Sequence, residues 1–374
     1  MKPAVLGSDA LFFLLIAVMI AGAWWGRRQA HLRAGWARVF ATRRSKIAVA
    51  VLAVFLAIGL VDSLHYRRQL PPEPGKPPAY AVEVLSALDA LLMPLKTNTE
   101  KTYSEPLATH LFAKETLEDG ERAFPPLKYP GSHLFGTDKV GQDVLYLTLK
   151  SIRTGLLIGT LTTLIMLPAA VLLGIVAGYV GGWVDDVIQY LYTTLNSIPG
   201  VLLIAAAVLM MQVLIDTHPQ WFSTAAERAD LRLLALCFIL GLTSWTGLAR
   251  LLRGEVLKLR ELEYVQAAQA FGVSDLRIIA RHLLPNLMHI VIIALVMDFS
   301  GLVLAEAVLS YVGIGVDPTM ISFGTMINNA RMELGREPVV WWSLVAAFTF
   351  MFAMVLAANL LADAVRDAFD PRMA

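Results

Sequence analysis

Residues 263–285 read EYVQAAQAFGVSDLRIIARHLLP and lie between two apolar runs. The alanines favour a short helix, and Gly272 can adopt the positive φ that turns a chain sharply. Ser274 can cap a second helix, and Pro285 predicts that this helix ends near Leu284. The segment therefore predicts a helix–glycine–helix elbow that can lie in a groove on a partner and transmit a push. An amphipathic surface helix is the alternative interpretation.

The composition indicates a polytopic membrane protein. The chain has 374 residues, of which 57% are hydrophobic and 16% charged. Its mean hydropathy is +0.61, which is too apolar for an ordinary soluble domain. The single cysteine, Cys237, lies in an apolar run and excludes an intramolecular disulfide. We expect it to be a small packed residue and not a reactive thiol.

Seven apolar stretches are long enough to cross a membrane, because roughly 20 apolar residues suffice. They are 10–26, 45–62, 152–179, 187–215, 231–249, 286–312 and 341–361. The first resembles a signal peptide in length, but Asp9 precedes it and the aromatic–basic run 24–28 follows. These flanks favour an uncleaved helix with an interfacial anchor.

Basic residues predict the orientation of these spans. The stretches 27–46 and 250–285 are rich in Lys and Arg, so both are expected in the cytoplasm. The loop 216–230 carries only Arg228 as a basic residue and is expected outside. With seven spans the assignments alternate without conflict. They place the N-terminus outside and the C-terminus in the cytoplasm.

The long outer loop, residues 63–145, has little strand pattern. Its proline-rich part, 71–78, predicts an extended segment. Residues 80–95 are apolar at helical spacing and are expected to form a helix on the membrane or on a partner. The loop is therefore not predicted to be a separate domain.

Polar residues within spans are costly and often face a cavity. Asn196 lies in the predicted fourth span, and Asp298 and Glu306 lie in the sixth. They are candidates for the lining of a hydrophilic path, with partnered structural residues as the alternative. The pair Gly174-x-x-x-Gly178 favours close helix packing within one subunit.

Several chemistries lack their sequence motifs. No G-x-x-x-x-G-K-[ST] loop, H-E-x-x-H or paired C-x-x-C occurs, and the histidines are scattered. The sequence therefore predicts no nucleotide site, no metal site, no cofactor and no enzymatic activity in this chain.

A family resemblance is carried by the elbow and by four further segments. Gln266-Ala267-Ala268-x-x-x-Gly272, followed by Leu284-Pro285, resembles the EAA loop of bacterial ABC importer permeases. The further segments resemble the C-type subunits of oligopeptide and dipeptide permeases. They are HLFGTDKVGQDV (133–144), GYVGGWVD (178–185), LAEAVLSYVG (304–313) and DAFDPR (367–372).

The resemblance implies an all-α, type I permease core of six helices with one added N-terminal helix. Its domains are residues 1–46 (added helix and basic linker), 47–62 (first core helix), 63–145 (outer loop) and 146–374 (core with the 250–285 loop). By resemblance the elbow contacts an ATPase through Tyr264, Gln266, Ala267, Ala268 and Gly272.

The same resemblance implies an importer of di- or oligopeptides in the bacterial inner membrane. Its partners are a second related permease, two ATPase subunits that use ATP and Mg, and an external solute-binding protein. No nucleic acid is expected. The sequence departs from the family pattern at two positions of the elbow. Gln266 stands where the motif has an acidic residue, and His282 stands where the family usually has an apolar one.

Three alternatives stay open. One is a secondary proton-coupled carrier that uses Asp298 or Glu306, although no inverted repeat is visible. Another is a membrane scaffold or sensor that binds a partner through the outer loop. The third is an ABC permease for a non-peptide solute such as a nickel chelate.

Overall fold

The computed structural model describes residues 2–28, 30–71, 79–116, 122–222 and 224–369. Residues 72–78, from the predicted extended segment, and 370–372, from the tail motif, lie outside this part of the chain. The described α-helices are Gly7–Arg28 (α1), Ala30–Val39 (α2), Arg43–Asp62 (α3), Ala87–Leu91 (α4), Met93–Thr97 (α5), Val144–Val180 (α6), Gly182–Ser197 (α7), Gly200–Thr217 (α8), Ala225–Ser244 (α9), Thr246–Arg260 (α10), Glu263–Ala270 (α11), Asp275–Ile278 (α12), Leu284–Val312 (α13), Phe323–Arg331 (α14) and Trp342–Phe369 (α15). Short 3₁₀ turns occupy Pro219–Trp221 and Glu333–Gly335, and a π-turn occupies Ile279–Leu283.

Among the described residues, six helical stretches are long and apolar enough to cross a membrane. They are Arg43–Asp62, Val144–Val180, Gly200–Thr217, Ala225–Arg260, Asp275–Val312 and Trp342–Ala368. Five of the predicted spans coincide with members of this set. The predicted first span, 10–26, falls in α1, which does not belong to this set because its apolar part, Gly7–Gly22, is shorter than the others.

The predicted fourth span, 187–215, is wrong as a single helix. Ile198 has an extended backbone (φ −91°, ψ 131°) that separates α7 from α8. Pro199 follows it, and proline both lacks an N–H and disfavours the helical conformation of the residue before it. The crossing helix is therefore α8. Asn196 lies before the break, in α7, and not within that span.

The predicted end of the second elbow helix at Leu284 is also wrong. The chain stays helical from Asp275 to Val312, with one π-turn on the way. In this turn the Leu284 N–H donates to the Ile279 carbonyl, five residues earlier. The wider turn accommodates Pro285 in the first turn of α13, where a missing N–H costs little.

A small antiparallel sheet stands at the end of the bundle where the long loop lies. Its strands are Lys2–Pro3 (β1), His65–Gln69 (β2) and Tyr80–Ser86 (β3), in the order β1-β2-β3. The expected helix over 80–95 is thus wrong for 80–86, because pairing with β2 overrides the local pattern. Only Ala87–Leu91 and Met93–Thr97 are helical there. A two-stranded sheet joins Glu115–Thr116 (β4) and Arg122–Ala123 (β5).

The pairing of β1 with β2 relates the N-terminus to the outer loop. Lys2 lies opposite Arg67 and Pro3 opposite Tyr66. Between these strands the chain traverses α1 away from the sheet and α3 back to it. The N-terminus and the outer loop therefore lie at the same end of the bundle.

A buried ion pair fixes α1 to the core helix α6. The Asp9 carboxylate accepts a hydrogen bond from Arg153 Nη2 at 2.5 Å and is bonded to His65 Nδ1 at 2.8 Å. Arg153 also donates to Ser8 Oγ at 2.9 Å and to Ser63 Oγ at 3.0 Å. The charge of a core arginine is thus balanced by a carboxylate of the added helix.

Close contact between α6 and α10 depends on two glycines. A Cβ at Gly174 would lie 2.7 Å from the Ala249 carbonyl oxygen, and one at Gly178 would lie 2.7 Å from Val256 Cβ. Side chains at these positions would force the helices apart. The predicted intrasubunit role of this glycine pair is confirmed.

Candidate functional site

The elbow forms as the sequence predicts at its bend. The first arm is α11, and Gly272 follows it with φ +74°. This left-handed backbone conformation is strained for residues with a side chain. The second arm begins with α12 after Ser274, which stands at the N-cap position but makes no side-chain capping bond. The predicted bend is therefore confirmed, and the predicted capping bond is absent.

The inner face of the elbow is anchored in a hydrophobic cluster. Val265, Ile278 and Leu283 are fully buried against Leu252 and Val256 of α10. Each buried aliphatic side chain stabilises such packing by about 1.5–3 kcal/mol. The elbow is thus a rigid part of the bundle end and not a loose connection.

The predicted contact residues lie mostly on the opposite, open face. Tyr264, Gln266, Ala267 and Gly272 are exposed, with Tyr264 at 42%. Ala268 is half-buried and packs against the hydrophobic cluster. Four of the five residues are accessible to a partner, and Ala268 instead supports the first arm from within.

Two large apolar residues on the open face were not predicted from the sequence. Phe271 is 86% exposed and Leu276 is 81% exposed, on either side of Gly272. Exposed apolar groups at the tip of a polar connection are typical of an interaction surface. The sequence could have indicated these two residues, because both are large apolar residues in an otherwise polar segment around the bend.

Tyr179, at the end of α6, joins both arms of the elbow. Its hydroxyl donates to Asp275 Oδ1 at 2.7 Å and accepts from Gln269 Nε2 at 3.2 Å. Its carbonyl oxygen accepts from Arg260 Nη1 at 3.3 Å. Both arms of the elbow are therefore hydrogen-bonded to one residue at the end of α6.

The second arm is also linked to the first through Tyr264. Asn286 Nδ2 donates to the Tyr264 hydroxyl at 3.1 Å, and the His282 ring lies 5.9 Å from the Tyr264 ring. His282, which departs from the family pattern, thus packs beside a predicted contact residue. Gln266 donates locally, to the Glu261 carbonyl oxygen at 3.2 Å.

A bidentate ion pair braces α7 against α10 next to the elbow. Arg253 donates from Nε to Asp185 Oδ1 and from Nη2 to Asp185 Oδ2, each at 2.6 Å. These hydrogen bonds, more than the opposing effect of burial, hold the pKa of Asp185 below its ordinary value. Asp185 therefore stays ionised at neutral pH and keeps the brace formed.

The candidate path residues occupy three different environments. Asn196 is exposed, and its Oδ1 accepts from Thr246 at 3.1 Å. Glu306 is 1% exposed and accepts from Ser310 at 2.6 Å and from Ser322 at 2.8 Å. Asp298 is half-buried on α13, with no hydrogen-bond partner in the described part of the chain.

No hydrogen bond joins any two of these three residues within the described part of the chain. Glu306 is buried and paired, as expected for a structural residue, so its predicted path role gains no support from this geometry. Asp298 and Asn196 keep accessible polar atoms. Within the described ranges, no group of three or more His, Cys, Asp or Glu residues is arranged to hold a metal ion.

The six crossing helices and the anchored elbow define the permease subunit of a binding-protein-dependent importer. The family model described as "Binding-protein-dependent transport system inner membrane component" matches residues 170–374. The chain belongs to this family of ABC importer permeases, in the oligopeptide and dipeptide branch. The predicted type I core with an added N-terminal helix is confirmed.

Three relatives illustrate the similarity. The dipeptide transport system permease protein DppC of Bacillus subtilis (strain 168) is 30% identical over 267 residues, covering 71% of this chain and 76% of the relative. The oligopeptide permease protein OppC of Mycobacterium tuberculosis (strain H37Rv) is 31% identical, covering 66% and 78%. The glutathione permease protein GsiD of Pectobacterium atrosepticum is 31% identical, covering 65% and 71%.

Proposed function

We propose that this chain is the membrane subunit of an ATP-driven peptide importer, coupled to a separate ATPase through the elbow. One observation supports this coupling. The elbow exposes two apolar side chains, Phe271 and Leu276, on one face, while its opposite face is buried in the hydrophobic cluster of the bundle. A surface of this kind can accept a partner and transmit force. The names of the relatives, which refer to dipeptides, oligopeptides and glutathione, favour a peptide over a nickel chelate.

The coupling works through rigid contacts. ATP binding draws the two ATPase subunits together and displaces the elbow. The hydrogen bonds of Tyr179 to both arms carry the displacement into α6, and the glycine-mediated contact passes it to α10. The bundle then changes between inward-open and outward-open forms. ATP and Mg act in the ATPase subunits, so this chain itself needs no cofactor.

The assembly contains a second, related permease and an external binding protein that delivers the peptide. The proposed orientation places the sheet and the outer loop outside the inner membrane and the elbow in the cytoplasm. The N-terminus is then outside and the C-terminus inside. Asp298 and Asn196 are proposed to border the path, which forms where the two permeases meet.

The coupling is tested with a matched pair of truncations. Phe271→Ala and Leu276→Ala remove the apolar tip, whereas Leu251→Ala changes an exposed residue of α10 outside the elbow. Truncating an interface hot spot costs about 2 kcal/mol or more, or roughly 30-fold in affinity. We expect the tip variants to lose ATPase co-purification and peptide uptake in proteoliposomes, with normal membrane insertion.

The control should behave as the unmodified importer does. Normal uptake and normal ATPase retention in the double variant Phe271→Ala/Leu276→Ala would disprove the assignment of the elbow. The substrate class is tested separately, by competing labelled peptide uptake with di- and tripeptides and with a nickel chelate. Inhibition by the chelate alone would overturn the peptide assignment and leave the coupling intact.

A further inference from the structure

A cavity of about 670 Å³ opens between α2, α3 and α15. It lies at the elbow end of the bundle, because α3 and α15 both run between this end and the sheet. Four arginines from three helices line it, namely Arg38, Arg43, Arg44 and Arg366. The cavity thus joins the segment that carries the added helix to the last helix of the core.

The four guanidinium groups are available to a ligand. No ion pair within 4 Å and no side-chain hydrogen bond engages any of them within the described part of the chain. Two carboxylates, Asp363 and Asp367, also line the cavity. The lining therefore carries four positive charges against two negative ones, and it favours an anion.

A buried hydroxyl group with no hydrogen-bond partner within the described ranges is a second observation, independent of the charges, that favours a bound ligand. Ser45 lines the cavity and is fully buried, yet its Oγ has no hydrogen-bond partner among the described residues. Leaving a buried hydroxyl unpaired costs about 1–3 kcal/mol, and a bound ligand that accepts its hydrogen bond would remove this cost. Ser45 stands in the first turn of α3, where the helix dipole also favours a negative group.

The surroundings of the cavity are those of a membrane interface. The rings of Trp36, on α2, and Phe40, directly after it, lie 6.2 Å apart, and both side chains are partly exposed. Aromatic residues beside basic ones are typical of the headgroup level of a bilayer. The apolar span of α3 begins directly beyond the arginines.

We propose that this cavity binds a phosphate group, with Arg38, Arg43, Arg44 and Arg366 as charged donors and Ser45 as a buried hydroxyl donor. The interfacial position identifies its source as the headgroup of an anionic phospholipid; the alternative source is free inorganic phosphate. Guanidinium groups suit phosphate because their planar donors match its oxygens. A bound headgroup ties α2 and α3 to α15 at the end where the elbow lies.

The test uses the purified full-length chain in a neutral detergent. Short-chain phosphatidylglycerol, short-chain phosphatidylcholine and inorganic phosphate are titrated separately, and binding is followed by calorimetry. The variants are Arg43→Gln/Arg44→Gln and Ser45→Ala. Arg33→Gln is the matched control, because Arg33 is exposed on α2 outside the cavity.

Phosphatidylglycerol should bind more tightly than phosphatidylcholine, and added salt should weaken its binding. Removal of two charges should weaken it about 30-fold, and removal of the hydroxyl about tenfold. The control should change it less than threefold. Comparable binding of inorganic phosphate, lost in the same variants, would support the phosphate site and identify free phosphate as the source.

Two results would overturn the proposal. One is equal binding of phosphatidylglycerol to the cavity variants and to Arg33→Gln. The other is equal affinity for phosphatidylglycerol and phosphatidylcholine, with no binding of inorganic phosphate. Thermal unfolding of each variant, measured beside the control, separates lost binding from lost folding.

Discussion

Replacing Asp9 by alanine should release the N-terminal helix from the core. The side chain of Asp9 is 1% exposed and that of its partner Arg153 is 7% exposed, so the charges are almost fully removed from solvent. After the substitution Arg153 keeps only the hydroxyls of Ser8 and Ser63, which carry no countercharge. His65 also loses the carboxylate to which it is bonded.

The free-energy cost of the Asp9→Ala substitution follows from the burial of the Asp9–Arg153 ion pair. Removing one partner of a buried ion pair costs about 3–5 kcal/mol, because the other charge is left uncompensated. Local opening should then become about 100-fold or more frequent, at 1.4 kcal/mol per tenfold. An exposed pair costs far less, about 0–1 kcal/mol.

Hydrogen exchange measures this opening directly. The amide of Ala4 donates to the His65 carbonyl oxygen, and the amide of Ser8 donates to Asp230. Both amides should exchange about 100-fold faster or more in Asp9→Ala. Asp216→Ala is the control, because Asp216 is half-exposed in its pair with Arg232.

A double replacement sharpens the test. Asp9→Leu combined with Arg153→Met removes both charges, and such apolar replacements of buried pairs are often neutral or stabilising. The double variant should therefore restore slow exchange at Ala4. Unchanged exchange in Asp9→Ala, or faster exchange in the double variant than in the single one, would refute the countercharge role.

Three further predictions concern the elbow end. Tyr179→Phe removes the hydroxyl that binds Asp275, so we expect peptide uptake to fall several-fold while the ATPase still co-purifies; equal uptake would contradict this link. Since the pKa of Asp185 is lowered mainly by Arg253, the stabilisation of about 1 kcal/mol is complete above the ordinary carboxylate pKa and is lost as the pH falls through the lowered one. Melting temperatures measured from pH 7 to pH 3 should show this loss, and the Asp185→Asn variant should lack it. Gly178→Leu should lower the melting temperature by several degrees, because the new side chain would meet α10; an unchanged melting temperature would exclude the tight contact.

Local patterns predicted several elements correctly. The positive φ of Gly272 and the crossing helices α3, α6 and α15 follow from residue type and from continuous apolar runs. Both signals are contained in a few neighbouring residues. The resemblance to the EAA loop, and not a local pattern, named Tyr264 and Gln266 as contact positions, and both residues are exposed.

Other elements depended on partners distant in sequence. The strand at Tyr80–Ser86 forms because β2 offers it a pairing edge, and its own pattern was equally suited to a helix. The break at Pro199 was hidden within a continuous apolar run, which hydropathy alone cannot divide. The structural environment of Glu306 depends on Ser322, a residue on a later segment of the chain.

The sequence by itself determined that this chain crosses a membrane repeatedly and bends sharply at Gly272, because hydropathy and turn chemistry are local properties. Only the tertiary structure decided which face of the elbow is free and where the buried charges find their partners. Asp9 and Arg153 are separated by more than a hundred residues, and their contact at 2.5 Å exists only once α1 lies against α6. Electrostatic pairing in an apolar interior depends on distance in space, and no local pattern records that distance.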